Sequence, residues 1–130
     1  MAGGKSAIST GKSLEAEVLA IGRRLGLKAK GQVTVGRRLW GAVRRIDIVF
    51  THSETRKSLG IECKAQMKKG TAEEKIPATI DDIQAWPIPG LVVFAGEGFS
   101  SNMQSYLFST GKAVALEDLE TWLKLYFGLE

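Results

Sequence analysis

One cysteine and one histidine are all that these 130 residues hold of the two commonest metal-binding and nucleophilic side chains. Each scarcity closes off a class of protein. A lone Cys63 excludes an internal disulfide, and Cys63 with His52 cannot supply the ligands of a structural zinc site. His52 has no convincing serine or cysteine partner, so nothing suggests a nucleophilic triad. No apolar run approaches the length of a membrane span. The opening stretch MAGGKSAISTGKS lacks the apolar core of a signal peptide. The expectation is therefore a cytoplasmic protein of a bacterial, archaeal or viral-host cell, with no membrane partner. A nucleotide cofactor is not expected either. Ser9-Thr10-Gly11-Lys12-Ser13 ends like a P-loop, but Ser6 stands where the first glycine is needed and no apolar strand precedes it.

What is present fits one packed domain. Hydrophobic residues make up 44% of the chain, enough for a core without covalent staples. Residues 1–10 are small and polar and read as a flexible lead-in; residues 11–130 read as a single domain. Charge is unevenly spread. Residues 1–57 carry twelve Lys/Arg against four Asp/Glu, whereas residues 58–130 carry six against ten. The first segment includes three arginine pairs: Arg23-Arg24, Arg37-Arg38 and Arg44-Arg45. Such clustering favours a phosphate backbone, although twin arginines also occur on solvated faces.

Periodicity gives the element order. Leu14, Val18, Ile21 and Leu25 form the stripe of an amphipathic helix that Gly26 would stop. Lys28–Val35 and Arg37–Trp40 alternate as a strand bent at Gly36, and Gly41 would turn the chain into a strand over Arg44–Phe50. Leu59–Ala65 makes a third strand. Thr71 and Glu74 form a capping-box pattern, but Pro77 means the next helix is kinked or begins there, with its body at Ala78–Gln84. Gly90–Ala95 (GLVVFA) is continuously apolar, as in a strand buried on both faces. A short helix over Ser100–Ser109, a short strand over Ala113–Leu116 and a closing helix over Glu117–Phe127 follow. The layout is α/β, with a mixed central sheet of about five strands flanked by helices.

The chemistry-bearing residues lie on the second and third strands. A turn centred between Glu54 and Thr55 places Asp47 opposite Glu62, and residues two apart share a face. Asp47, Glu62 and Lys64 are then expected on one face, with Ile46, Ile48, Ile61 and Cys63 on the other. Two opposed carboxylates repel and lose water, so they need a compensating charge. A hard divalent cation supplies one, and a neighbouring lysine can then position a water. A cross-strand salt bridge from Lys64 to both acids accounts for the same triplet. Cys63 should point into the core.

An acid followed some fifteen residues later by acid-x-lysine across a hairpin resembles the core of the PD-(D/E)xK nuclease superfamily, the restriction-endonuclease-like fold. The run Gly11-x-x-x-Glu15 with Gly26-Leu27 is similar to the first helix of archaeal Holliday-junction resolvases. Gly96–Ser101 with Ala113–Leu125 is similar to the end of Mrr-like nuclease domains. One departure is Ile46, which precedes Asp47 where the motif's name has proline. The resemblance implies a Mg²⁺-dependent DNA endonuclease, with Mn²⁺ able to substitute. Asp47, Glu62 and the backbone carbonyl of Cys63 would be metal ligands, and Lys64 would act on the attacking water. Periodicity leaves Glu15 and Glu17 equal as the helix acid; the resemblance selects Glu15. Gln66, two beyond Lys64, would orient that lysine or touch a phosphate. Lys12, Arg37, Arg38, Arg44, Arg45, Lys68, Lys69 and Lys75 are the DNA-binding candidates, and Trp40 could stack on a base.

Cutting both strands needs two sites, so a homodimer is expected, acting on branched DNA as in recombination. A minimal sequence-specific nuclease of restriction, homing or Mrr-like type is the second expectation. A non-catalytic DNA-binding protein of the same fold is the third. Removing Asp47 or Glu62 is expected to abolish cleavage and to relieve repulsion in the metal-free fold.

Overall fold

The structure is a computed structural model, and it describes residues 11–37, 43–65, 76–95, 102, 105 and 109–129. The lead-in at residues 1–10, Gly41, the Thr71/Glu74 cap and most of the expected Ser100–Ser109 helix lie outside them.

The amphipathic stripe forms helix α1 (Gly11–Arg24), which buries Leu14, Val18 and Ile21. Gly26 follows at φ +86°, a left-handed conformation that suits glycine and ends the helix. Strands β1 (Lys28–Arg37), β2 (Val43–Thr51) and β3 (Ser58–Ala65) make an antiparallel meander. Helix α2 (Ile76–Gln84) begins one residue before Pro77, where a missing N–H costs nothing. It crosses to β4 (Gly90–Ala95), which runs parallel to β3. Strand β5 (Ala113–Ala115) is parallel to β4; a 3₁₀ turn (Leu116–Asp118) then leads into helix α3 (Leu119–Phe127). The five strands lie in chain order, β1-β2-β3-β4-β5, in one mixed sheet. No helix among the described residues is long and apolar enough to cross a membrane.

Helices pack on both sheet faces. On one face α1 and α3 cover Ile48, Phe50, Leu59, Ile61, Leu91 and Val93; on the other, α2 with Trp86 covers Ile46, Val92 and Phe94. Strand β4 thus sends alternate side chains into two cores, as its unbroken apolar run requires.

The expected shared face for Ile46 and Ile48 is wrong. Ile48 packs under α1 and α3, whereas Ile46 packs with Trp86 under α2. Strand β1 makes the same exchange: Ala29 packs on the first core, Val33 and Val35 on the second. The pairs Gly31↔Ile48 and Val33↔Ile46 flank the crossover, at Gln32 and Asp47. Gln32 has φ +53°, a left-handed turn inside a strand that breaks the two-residue alternation. A second irregularity between Thr34 and Gly36 fulfils the expected bend at Gly36.

Candidate active site

The β2–β3 ladder runs Thr51↔Ser58, Phe50↔Leu59, Val49↔Gly60, Ile48↔Ile61. This is the register expected for a turn centred between Glu54 and Thr55, but the pairing stops one step short of Asp47 and Glu62. Beyond it the strands fork. Hydrogen-bonded rungs recur every second residue. With His52 donating to Lys57, the next rung after Ile48/Ile61 would tie Cys63 to Ile46. Instead the Cys63 N–H donates to Asp47 Oδ2 at 2.9 Å. The aspartate side chain finishes a ladder that its own main chain has left.

The fork gathers the predicted acids. Glu62 and Lys64 extend from β3 on the α2 face, with Lys64 Nζ 3.5 Å from Glu62 Oε2. Their side chains are only 20% and 29% exposed, so this is no solvated surface pair. Glu15 reaches in from α1, and its Oε1 accepts a hydrogen bond from Gln32 Nε2 at 3.2 Å. Glu17 lies exposed on the same helix. Glu15 is thus the helix acid tied to β1.

The electrostatics follow from crowding and burial. Glu62 is pushed up to about 7 by loss of water and then by the charge of Asp47, with Lys64 pulling the other way. Burial also raises Asp47; the Cys63 N–H, Lys64 and Gln32 oppose it. Glu15 is raised by burial and by Asp47, and lowered by Gln32 and Lys12. Burial and the surrounding carboxylates push the Cys63 thiol far up, so it stays protonated in the core, as alternation predicted.

Other candidates divide. Lys12, Arg37 and Arg45 are exposed. Arg44 is not an open phosphate ligand, contrary to expectation: its Nε bonds Asp82 Oδ1 of α2 at 3.0 Å, and the two side chains are 23% and 16% exposed. A carboxylate on the facing helix captures it. Arg38, Trp40, Gln66, Lys68, Lys69 and Lys75 fall outside the described residues. His52 is half-buried and structural: its Nδ1 accepts from the Glu54 and Thr55 N–H groups, and its ring stacks on Phe127. Gln32 was missed. A polar residue in a weakly alternating strand carries no signal of a left-handed turn.

A model of the PD-(D/E)XK nuclease superfamily domain matches residues 6–123. The chain belongs to that superfamily. Members of the PD-(D/E)XK nuclease superfamily generally use divalent metals. Two solved structures resemble this PD-(D/E)XK domain in fold. One is AF1548, described as a protein of unknown function, with 16% identity and a TM-score of 0.53 over 78% of this chain. The other is VC1899 from Vibrio cholerae, with 18% identity and a TM-score of 0.59 over 91% of this chain. The chain spans 57% of the first and 34% of the second, so both are longer proteins. No curated protein sequence matches it.

Among the described residues, no group of three or more His, Cys, Asp and Glu side chains stands ready to hold a metal ion. The donor chemistry nevertheless fits a hard cation. Asp47 and Glu62 are half-buried oxygen donors with raised proton affinity, and among the described residues the Lys64 ammonium offsets them.

Proposed function

We propose that this domain is a divalent-metal-dependent endodeoxyribonuclease whose site is Asp47, Glu62 and Lys64, completed by Glu15. The observation that supports it most is the fork itself. Two half-buried carboxylates and a lysine meet where β2 and β3 part, and burial drives Glu62 to about 7. A purely structural ion pair gains nothing from a second carboxylate that opposes it.

Asp47 and Glu62, with the Cys63 carbonyl and Glu15, would hold Mg²⁺ or Mn²⁺. When bound, the ion supplies charge neutralisation and a more acidic water. Lys64 would orient the attacking water as the ammonium or, as the neutral amine, take its proton and become the ammonium. That ammonium then stabilises charge on the five-coordinate phosphorus as the new P–O bond forms and the old one breaks. Gln66, two residues beyond Lys64 in sequence, would orient Lys64 or touch a phosphate. Lys12, Arg37, Arg38, Arg45, Lys68, Lys69 and Lys75 would grip the backbone. The cytoplasm, where DNA and magnesium are both at hand, is the compartment this reading needs.

On substrate, the Gly11-x-x-x-Glu15 helix favours branched DNA, cut by a homodimer during recombination. Incubation of four-way junctions and linear duplexes with Mg²⁺ tests both levels. Cleavage should depend on metal, prefer junctions, and vanish in Asp47→Asn, Glu62→Gln and Lys64→Met. A fixed cut in unbranched DNA would shift the substrate to a sequence-specific one. Undiminished nicking by all three variants would remove the site. Salt-dependent DNA binding without any thermal shift from Mg²⁺ or Mn²⁺ would instead indicate a non-catalytic binding protein.

A further inference from the structure

We propose that Gln32 is a positioning residue of this site, a neutral bridge whose amide, carried by a left-handed turn of β1, holds Glu15 of α1 beside Asp47 of β2. The inference rests on the metal-dependent reading above and adds a residue to it.

Three observations converge on Gln32. Its φ of +53° lies in the interior of a strand, unlike that of Arg56, which sits in the hairpin turn where left-handed residues are common. It stands across from Asp47, at the step between Gly31↔Ile48 and Val33↔Ile46 where both strands exchange faces. Its Nε2 is 3.2 Å from Glu15 Oε1. An ionised carboxylate only accepts, so the amide nitrogen must be the group facing it.

If the turn were the sole requirement, glycine or asparagine would fill the position at lower cost. Glutamine adds what those lack: N–H donors at the end of an arm long enough to reach another element. The neutrality of the donor matters equally. Asp47 repels both Glu15 and Glu62, so an unaided Glu15 would swing to solvent. A lysine here would hold the acids together but occupy the cation's place. An amide holds them without carrying a competing charge. The amide engages Glu15 Oε1, so a cation meets Oε2 beside Asp47 while the bridge stays in place.

Glycine suits the backbone better than glutamine does, which separates fold from function. Gln32→Gly should melt no lower than wild type, yet bind Mn²⁺ about threefold to tenfold more weakly by calorimetry, the loss typical of one partly solvated hydrogen bond to a charged group. Gln32→Lys should also bind Mn²⁺ more weakly while its metal-free melting temperature rises. In metal-free protein the Gln32 side-chain amide resonances should shift on Glu15→Gln. Unchanged or tighter Mn²⁺ binding by Gln32→Gly overturns the bridge, as do unmoved amide resonances. Wild-type protein that binds no Mn²⁺ removes the nuclease reading itself, a different failure from wild-type binding that Gln32→Gly retains.

Discussion

Asp47 and Glu62 differ more than their shared charge suggests. Among the described residues Glu62 pairs with Lys64, and its cost is electrostatic. Its folded-state value of about 7 lies above the ordinary 4.5, so between those two values the native state binds the proton more tightly. The metal-free fold should therefore lose stability as pH rises from about 4.5 to about 7, with no such loss below. Glu62→Gln should flatten that decline and stand above wild type at alkaline pH by at most about 3 kcal/mol in urea melts. Asp47 behaves otherwise, because Oδ2 receives the Cys63 N–H. Asp47→Ala strands that donor and should cost about 1–3 kcal/mol, whereas Asp47→Asn keeps an acceptor and sheds the charge. A net gain from the relieved repulsion is thus expected of Glu62→Gln and Asp47→Asn, whereas in Asp47→Ala the stranded Cys63 N–H offsets it. Parallel denaturant curves of the three variants measure it.

Among the elements, α1 meets the sheet through a residue with no side chain. A methyl group on Gly22 would stand 2.2 Å from the Phe50 ring. Alanine favours a helix over glycine by about 1 kcal/mol, so the sign of Gly22→Ala decides which effect wins. Overpacking a buried ring costs about 1–3 kcal/mol, and a net loss of melting temperature is expected. Because α1 also carries Glu15, Mn²⁺ affinity should fall with it. Most elements were legible from pattern alone: the α1 stripe, the β2–β3 register and the doubly buried β4. The face exchange in β1 and β2 was not. Ile46, Ile48 and Phe50 are all buried at even spacing, and a sheet covered on both sides hides which core each one enters. Only a backbone dihedral at Gln32 reveals the switch, and hydropathy carries no trace of it. The fate of Arg44 was equally unreadable, since its partner Asp82 is distant in sequence and comes near only once α2 packs.

At the scale of the molecule, the basic candidates fall into two kinds. Arg44 ties β2 to α2 through a mostly buried pair, while Arg45 is exposed. Arg44→Ala should lower the melting temperature whether or not DNA is present. Arg45→Ala should leave it unchanged and reduce the salt dependence of DNA affinity by about one ion per site. Fluorescence anisotropy over a range of salt, run beside thermal melts, distinguishes them; equal behaviour of the two arginines would contradict the assignment.

The rung completed by Asp47 also constrains descent. A lineage that gave up cleavage would no longer need a charge at this position, but its sheet would still demand an oxygen there. Loss of activity should then leave asparagine behind far more often than alanine, a scar by which retired members could be recognised.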